Sequence, residues 1–214
     1  MKRLFLALAL AMALPASAAN LQISPLGMTL TPQQKVESLR IKNAGTAPIR
    51  IQMRAFSWSQ VAGQTVETPT NDVRFGPGQF EIPAGATQIV RVIRTSPDKP
   101  TEQTYRVVIS ELPSATLPAD QSGAVFLLNY NLPLFYRPAG ATPTLSTSRV
   151  GGELSVSNTG TGTAHLSVMS VDGKPVNTGL VGYVLPGSTM RFPAAPGHKV
   201  DIKVNGEAKT WNVP

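Results

Sequence analysis

Hydrophobic and polar residues alternate with period two along most of the chain, and the alternation is longest from Ala124 to Pro138. In an extended segment Ala124, Phe126, Leu128, Tyr130, Leu132 and Leu134 fall on one face, and Val125, Leu127, Asn129, Asn131 and Pro133 on the other. The first face is apolar throughout. A strand over this run would have roughly twice the usual five or six residues. Pro133 has no N–H to give to a ladder, so it suits an edge or a bend. A long apolar edge invites pairing with another chain. The run therefore reads either as a core strand ending in a proline-marked linker or as a binding device, and its pattern alone leaves both open.

The rest of the chain predicts short strands separated by turn signals. Leu21 to Leu30 contains Pro25 and Gly27, the mark of a kinked or sheet-switching edge strand. Leu39 to Lys42 alternates, Asn43 to Pro48 is a turn, and Ile49 to Trp58 alternates again. Thr68 to Gly78 reads as a loop, followed by strands at Phe80–Ile82, Gln88–Arg94 and Thr104–Leu112. Counting the long run, seven strands precede Arg137, with no amphipathic helix among them, which predicts an immunoglobulin-like sandwich. Weaker strands follow at Glu153–Asn158, Ala164–Val171, Gly182–Leu185, Ser188–Phe192, Lys199–Val204 and Ala208–Val213. The fold class is all-β, with a leader over 1–19, a first domain over 20–137 and a small second β domain over 138–214.

Composition changes this picture in three ways. Lys2 and Arg3, the apolar run Leu4 to Leu14 and the small-residue site Ala16-Ser17-Ala18 form a secretory signal, too short to span a bilayer. Export of the protein follows. Removing Lys2 and Arg3 from the 19 basic residues leaves 17 against 12 acidic ones, a mild surplus of +5. No run of adjacent Lys or Arg resembles a nucleic-acid patch. Cysteine is absent, so neither disulfides nor thiolate chemistry contribute.

Catalysis finds few candidates. The two histidines, His165 and His198, lack the spacing of a metal-ligand pair, and no paired-acid motif occurs. Gly76-Pro77-Gly78 resembles a turn, since no helix follows to complete a phosphate loop. No catalytic residue, metal, cofactor or small-molecule substrate is expected.

Several ordered segments resemble the periplasmic chaperones of the chaperone-usher pathway, the PapD-like chaperones of pilus assembly. They are Phe80-Glu-Ile-Pro-Ala-Gly85 with Gln88-Ile-Val-Arg-Val92, Glu102 to Pro113, and Leu134-Phe-Tyr-Arg-Pro138. The resemblance covers essentially the whole exported chain. It implies two immunoglobulin-like sandwiches in an L or boomerang arrangement, a periplasmic location, and pilus subunits and an outer-membrane usher as partners. It also implies that Ala124, Phe126, Leu128 and Tyr130 form a donor strand that completes a subunit's unfinished sandwich.

In the family, basic residues on the first and last strands of the first domain hold the subunit's C-terminal carboxylate. Here Leu21 to Leu30 contains no arginine and Pro133 takes the place of the lysine, which places the chain in a divergent, archaic-type branch. Arg106 and Arg91 are the candidate substitutes. Glu102 and Arg137 match the first-domain half of an interdomain ion pair, whose acidic partner would come from Asp201 or Glu207. The alternative reading is an exported structural pilin or adhesin. Such a protein would carry a free N-terminal donor extension, for which Leu21 leaves little room after the leader.

Overall fold

The computed structural model describes residues 21–113, 127–193 and 196–213, and every regular element in it is a β-strand. Among the described residues ten strands precede Arg137. One antiparallel sheet has the order β1 (Leu21–Ser24), β3 (Val36–Asn43), β8 (Thr87–Arg94), β6 (Val73–Gly76). The other has the order β2 (Met28–Leu30), β10 (Asn129–Tyr136), β9 (Gln103–Leu112), β4 (Ile49–Val61), β5 (Gln64–Pro69), with β7 (Gln79–Ile82) also on β4. Their alternating apolar residues meet in one core, in which Leu39, Ile41, Val90 and Val92 of the first sheet join Ile51, Val107, Ile109 and Leu134 of the second.

The kinked first strand does switch sheets. β1 pairs with β3 in one sheet, and after Pro25-Leu26-Gly27 the chain crosses so that β2 pairs in parallel with β10. Gly27 permits the crossing, because a Cβ there would lie 3.1 Å from the Cγ of Pro133.

The second sandwich repeats the scheme on a smaller scale. A three-stranded sheet β11 (Leu145–Val150), β12 (Glu153–Asn158), β15 (Thr189–Phe192) faces a four-stranded sheet. The latter runs β14 (Lys174–Val184), β13 (Ala164–Val171), β16 (Lys199–Val204), β17 (Glu207–Asn212). Leu154, Val156, Leu166, Val184 and Val200 form its core. Among the described residues no ladder joins the two sandwiches, and a small third cluster of Trp58, Phe135 and Leu185, with Tyr183 against it, lies between them.

Four strands go beyond the sequence reading, one of them only in its first part. β5 is exposed at every residue and so carries no alternation. β6 is hidden in the stretch read as a loop, because only Val73 is buried between turn signals. β11 alternates only between half-buried and exposed, the first part of β14 is almost wholly exposed, and β14 is offset by bulges opposite Leu166 to Ser170.

Each sandwich also ties one turn with a buried asparagine. Asn43, at the end of β3, gives its Nδ2 to the carbonyls of Ala47 (2.7 Å) and Ile82 (3.0 Å) and takes the Gly45 N–H on Oδ1 (2.9 Å). Asn158, at the end of β12, gives its Nδ2 to Gly162 (2.8 Å) and Val184 (3.0 Å) and takes the Gly160 N–H (3.0 Å).

Candidate functional site

Along β10 one row of side chains passes from buried to exposed. Leu132, Leu134 and Tyr136 are core residues, Tyr130 is half-buried against the same core, and Leu128 is 39% exposed. A single exposed leucine is ordinary on a protein surface, but Leu128 continues the alternation of a buried row. The row runs past its own core. Ala124 and Phe126, which the sequence places farther along the row, lie outside the described residues.

The backbone of the same strand has an open side. The Glu111 N–H donates to the Leu128 carbonyl, so the even residues bond to β9; the Arg137 N–H donates to Leu30 O, so the odd residues face the other edge. There β2 covers only Leu134 to Tyr136. From Asn129 to Pro133 the edge has no partner strand among the described residues, although β9 pairs with β10 along its whole length.

Arg106 lies on β9, across β10 from this edge, opposite Pro133 in the β9–β10 register. Its guanidinium is 3.5 Å from the centroid of the Trp58 ring and 5.8 Å from that of Tyr183, which belongs to the second sandwich. Glu67 Oε1 is 3.8 Å from Arg106 Nε and accepts from Asn131 Nδ2 at 3.1 Å. Burial draws the Arg106 pKa below its ordinary value and Glu67 opposes that shift. Its buried Nε makes no hydrogen bond. The result is a cation with donors to spare, between the sandwiches.

A cavity of about 370 Å³ opens next to it, with Gly27, Pro133, Phe135, Arg137, His165 and Tyr183 in its wall. Pro133 stands where the resemblance expects a lysine, and Gly27 approaches it so closely that a Cβ there would lie 3.1 Å from the Pro133 Cγ. Arg91 is not brought to this place. It is exposed on β8, in the sheet that excludes β10.

At the junction Glu102, whose side chain is fully buried, pairs through Oε2 with Arg137 Nε. Its Oε1 accepts the Thr163 N–H at 3.2 Å, and its own N–H donates to Thr161 O at 3.0 Å. The second sandwich thus contributes one backbone donor and one backbone acceptor, not an acid. Asp201 pairs with Lys199 and accepts from Thr210, and Glu207 pairs with Lys209. A neutral backbone group satisfies the carboxylate without adding a second buried charge.

Four contributors were not legible in the sequence. Trp58, Gln60, Glu67 and Tyr183 meet only through the fold: Gln60 bridges the Tyr183 carbonyl (2.8 Å) and the Leu185 N–H (2.9 Å) across the junction. An isolated Trp at the end of a predicted strand was the one available signal. His165 packs its ring 5.0 Å from that of Tyr183, and the His198 N–H is held by Asp172. Among the described residues no three His, Asp or Glu side chains are placed to hold a metal ion.

Comparison with known proteins agrees with this architecture. Residues 20–142 match the model of the pili and flagellar-assembly chaperone, PapD N-terminal domain. No curated protein matches the chain by sequence. A chain of the CsuC–CsuE chaperone–tip adhesion subunit pre-assembly complex, from archaic Csu pili of Acinetobacter baumannii, is 22% identical. The match covers 91% of this chain and 98% of that one, with a TM-score of 0.73. A chain of the Salmonella enterica SafA pilin–SafB chaperone complex gives 20% identity, coverages of 91% and 97%, and a TM-score of 0.72. The E. coli chaperone DraB gives 21%, coverages of 92% and 96%, and 0.68. These likenesses show a shared two-sandwich fold, and the family model spans more than half of the sequence: the chain belongs to the family of pili and flagellar-assembly chaperones.

Proposed function

We propose that this protein is a periplasmic chaperone that holds pilus subunits, without catalysis, by lending them a strand, and passes them to an outer-membrane usher. One observation carries the reading: the apolar row of β10 continues beyond its own core while the backbone edge from Asn129 to Pro133 is unpaired. A subunit lacking one strand of its sandwich supplies what both features lack, a hydrophobic groove and a ladder partner. Ala124, Phe126, Leu128 and Tyr130 are the residues offered to the groove. Each side chain of Leu or Phe size contributes roughly 1.5 to 3 kcal/mol on burial, before ordering costs.

Arg106 anchors the subunit's C-terminal carboxylate in this reading. Its guanidinium sits on Trp58, on the same face of the sheet as Pro133, with an unused Nε, and Glu67 opposes the loss of its charge without occupying it fully. The boundary between the units falls at Arg137 and Pro138, and the Glu102–Arg137 pair with the Thr163 N–H fixes the junction.

Co-expression in a periplasm with pilin-like subunits from the same genome, followed by pull-down, tests this. The wild type should retain a subunit, and Phe126→Asp/Leu128→Asp should lose it while remaining folded by circular dichroism. Retention by the double variant overturns the donor strand. Arg106→Glu should weaken capture with the donor strand intact, and unchanged capture removes Arg106 from the site.

A further inference from the structure

The sheet that takes no part in the proposed site has an unusual outer face. On β3, β8 and β6 the outward residues include Arg40, Lys42, Arg91 and Arg74, all exposed. None of the four forms an ion pair or a side-chain hydrogen bond among the described residues, whereas five other cations in the chain are each matched by a carboxylate. Among the described residues no acid shares the face. Glu37 falls on the opposite side by strand alternation, and Asp72, just before β6, accepts a hydrogen bond from the Tyr105 hydroxyl.

Register arranges these cations in single file. Arg40 pairs with Ile89, Arg91 with Ser38 and Gly76, and Arg74 with Ile93, so Lys42, Arg40, Arg91 and Arg74 descend diagonally across three strands. Two residues along a strand span about 7 Å, and diagonal neighbours on adjacent strands lie about 7 to 8 Å apart. Each step in the file therefore matches the distance between alternate side chains of an extended peptide. Beside the file, Ile89 (51% exposed) and Val36 (45%) offer apolar surface.

We propose that this face docks an extended acidic segment of a protein partner, with carboxylates at alternate positions meeting the file. Charge complementarity selects the occupant: uncompensated arginines take carboxylates in a forked geometry, and a single file suits one strand better than the two-dimensional array of a lipid surface. The site is separate from the open edge of β10, being on the other sheet.

Fluorescence anisotropy with a labelled Glu-Ser-Glu-Ser-Glu-Ser-Glu peptide tests the proposal, with Glu-Glu-Glu-Glu-Ser-Ser-Ser as a composition control. The wild type should bind the alternating peptide more tightly than the blocked one, and less tightly as salt rises. Arg40→Glu/Arg91→Glu should weaken binding by about tenfold or more, and Lys174→Glu/Lys203→Glu, with the same change in net charge, by less than about threefold. Should the first variant not fold, Arg40→Gln/Arg91→Gln should still weaken binding severalfold. Equal losses in both double variants, equal binding of both peptides, or sedimentation with phosphatidylglycerol vesicles without peptide binding would overturn the proposal.

Discussion

The two asparagine clamps use the same amide bonds but have different neighbours. Around Asn43 the turn closes on itself, and Ala47 is accepted where the second clamp has Gly162. Around Asn158 the chain linking the sandwiches passes directly over the turn: Asn158 Oδ1 also takes the Thr144 N–H at 3.1 Å. A Cβ on Gly160 would lie 2.3 Å from Thr142 O, and one on Gly162 would lie 2.9 Å from Ala141 O. The same turn presents Thr161 O and the Thr163 N–H to Glu102. A local device in the first sandwich has become the anchor of the junction in the second.

Five substitutions can break or sharpen that contrast. Gly160→Ala should cost about 3 kcal/mol or more in urea unfolding, because the obstacle is backbone, while Gly45→Ala, facing only the Asn43 side chain at 3.2 Å, should cost under about 1 kcal/mol. Equal costs would mean that the linker moves freely. Asn43→Ala and Asn158→Ala should each lose about 2 to 3 kcal/mol, since each strands buried carbonyls, and only Asn158→Ala should increase proteolysis between the sandwiches. Glu102→Ala, which leaves Arg137 and the Thr163 N–H without their partner, should cost about 2 kcal/mol, the value moderated by the partial exposure of Arg137.

The smallest effect separates the sandwiches by pH. Burial raises the Tyr105 pKa from 10.0 to about 12, and burial raises that of Tyr136 further. A raised folded pKa means that the unfolded chain releases its proton first, so stability falls as pH climbs from about 10 towards 12. At pH 10.5 the Tyr105 contribution should be below about 1 kcal/mol, and Tyr105→Phe should flatten the slope in an alkaline unfolding series. The second sandwich has one such group, Tyr183 at the junction, whose pKa burial also raises, against two in the first, so it should contribute the shallower part of the slope.

Alternation made the central strands legible. β3 and β8 carry a buried-and-exposed rhythm, β9 keeps it up to Ile109 and β10 up to Leu134, and Pro25 with Gly27 announced the sheet switch. Exposed strands have no such rhythm, which is why β5 and most of β14 were silent. The site was legible where it follows the chain and obscure where it crosses it. Leu128 and Tyr130 could be read from period two. Arg106 was named by its place on the neighbouring strand, but its stacking on Trp58 and Tyr183 depends on residues more than a hundred positions apart in sequence. Arg91 shows the limit: alternation alone does not say which sheet a strand will join.

Pro133 acts as punctuation for anything that pairs along β10. The odd residues of the strand point their backbone groups towards the open edge, so Asn129 and Asn131 each offer a donor and an acceptor there, while Pro133 offers an acceptor only. With Gly27 packed against its ring, the next rung is also closed by bulk. A visiting strand can zip along the edge only as far as this residue, and the chain thereby carries its own full stop for the length and register of the visitor.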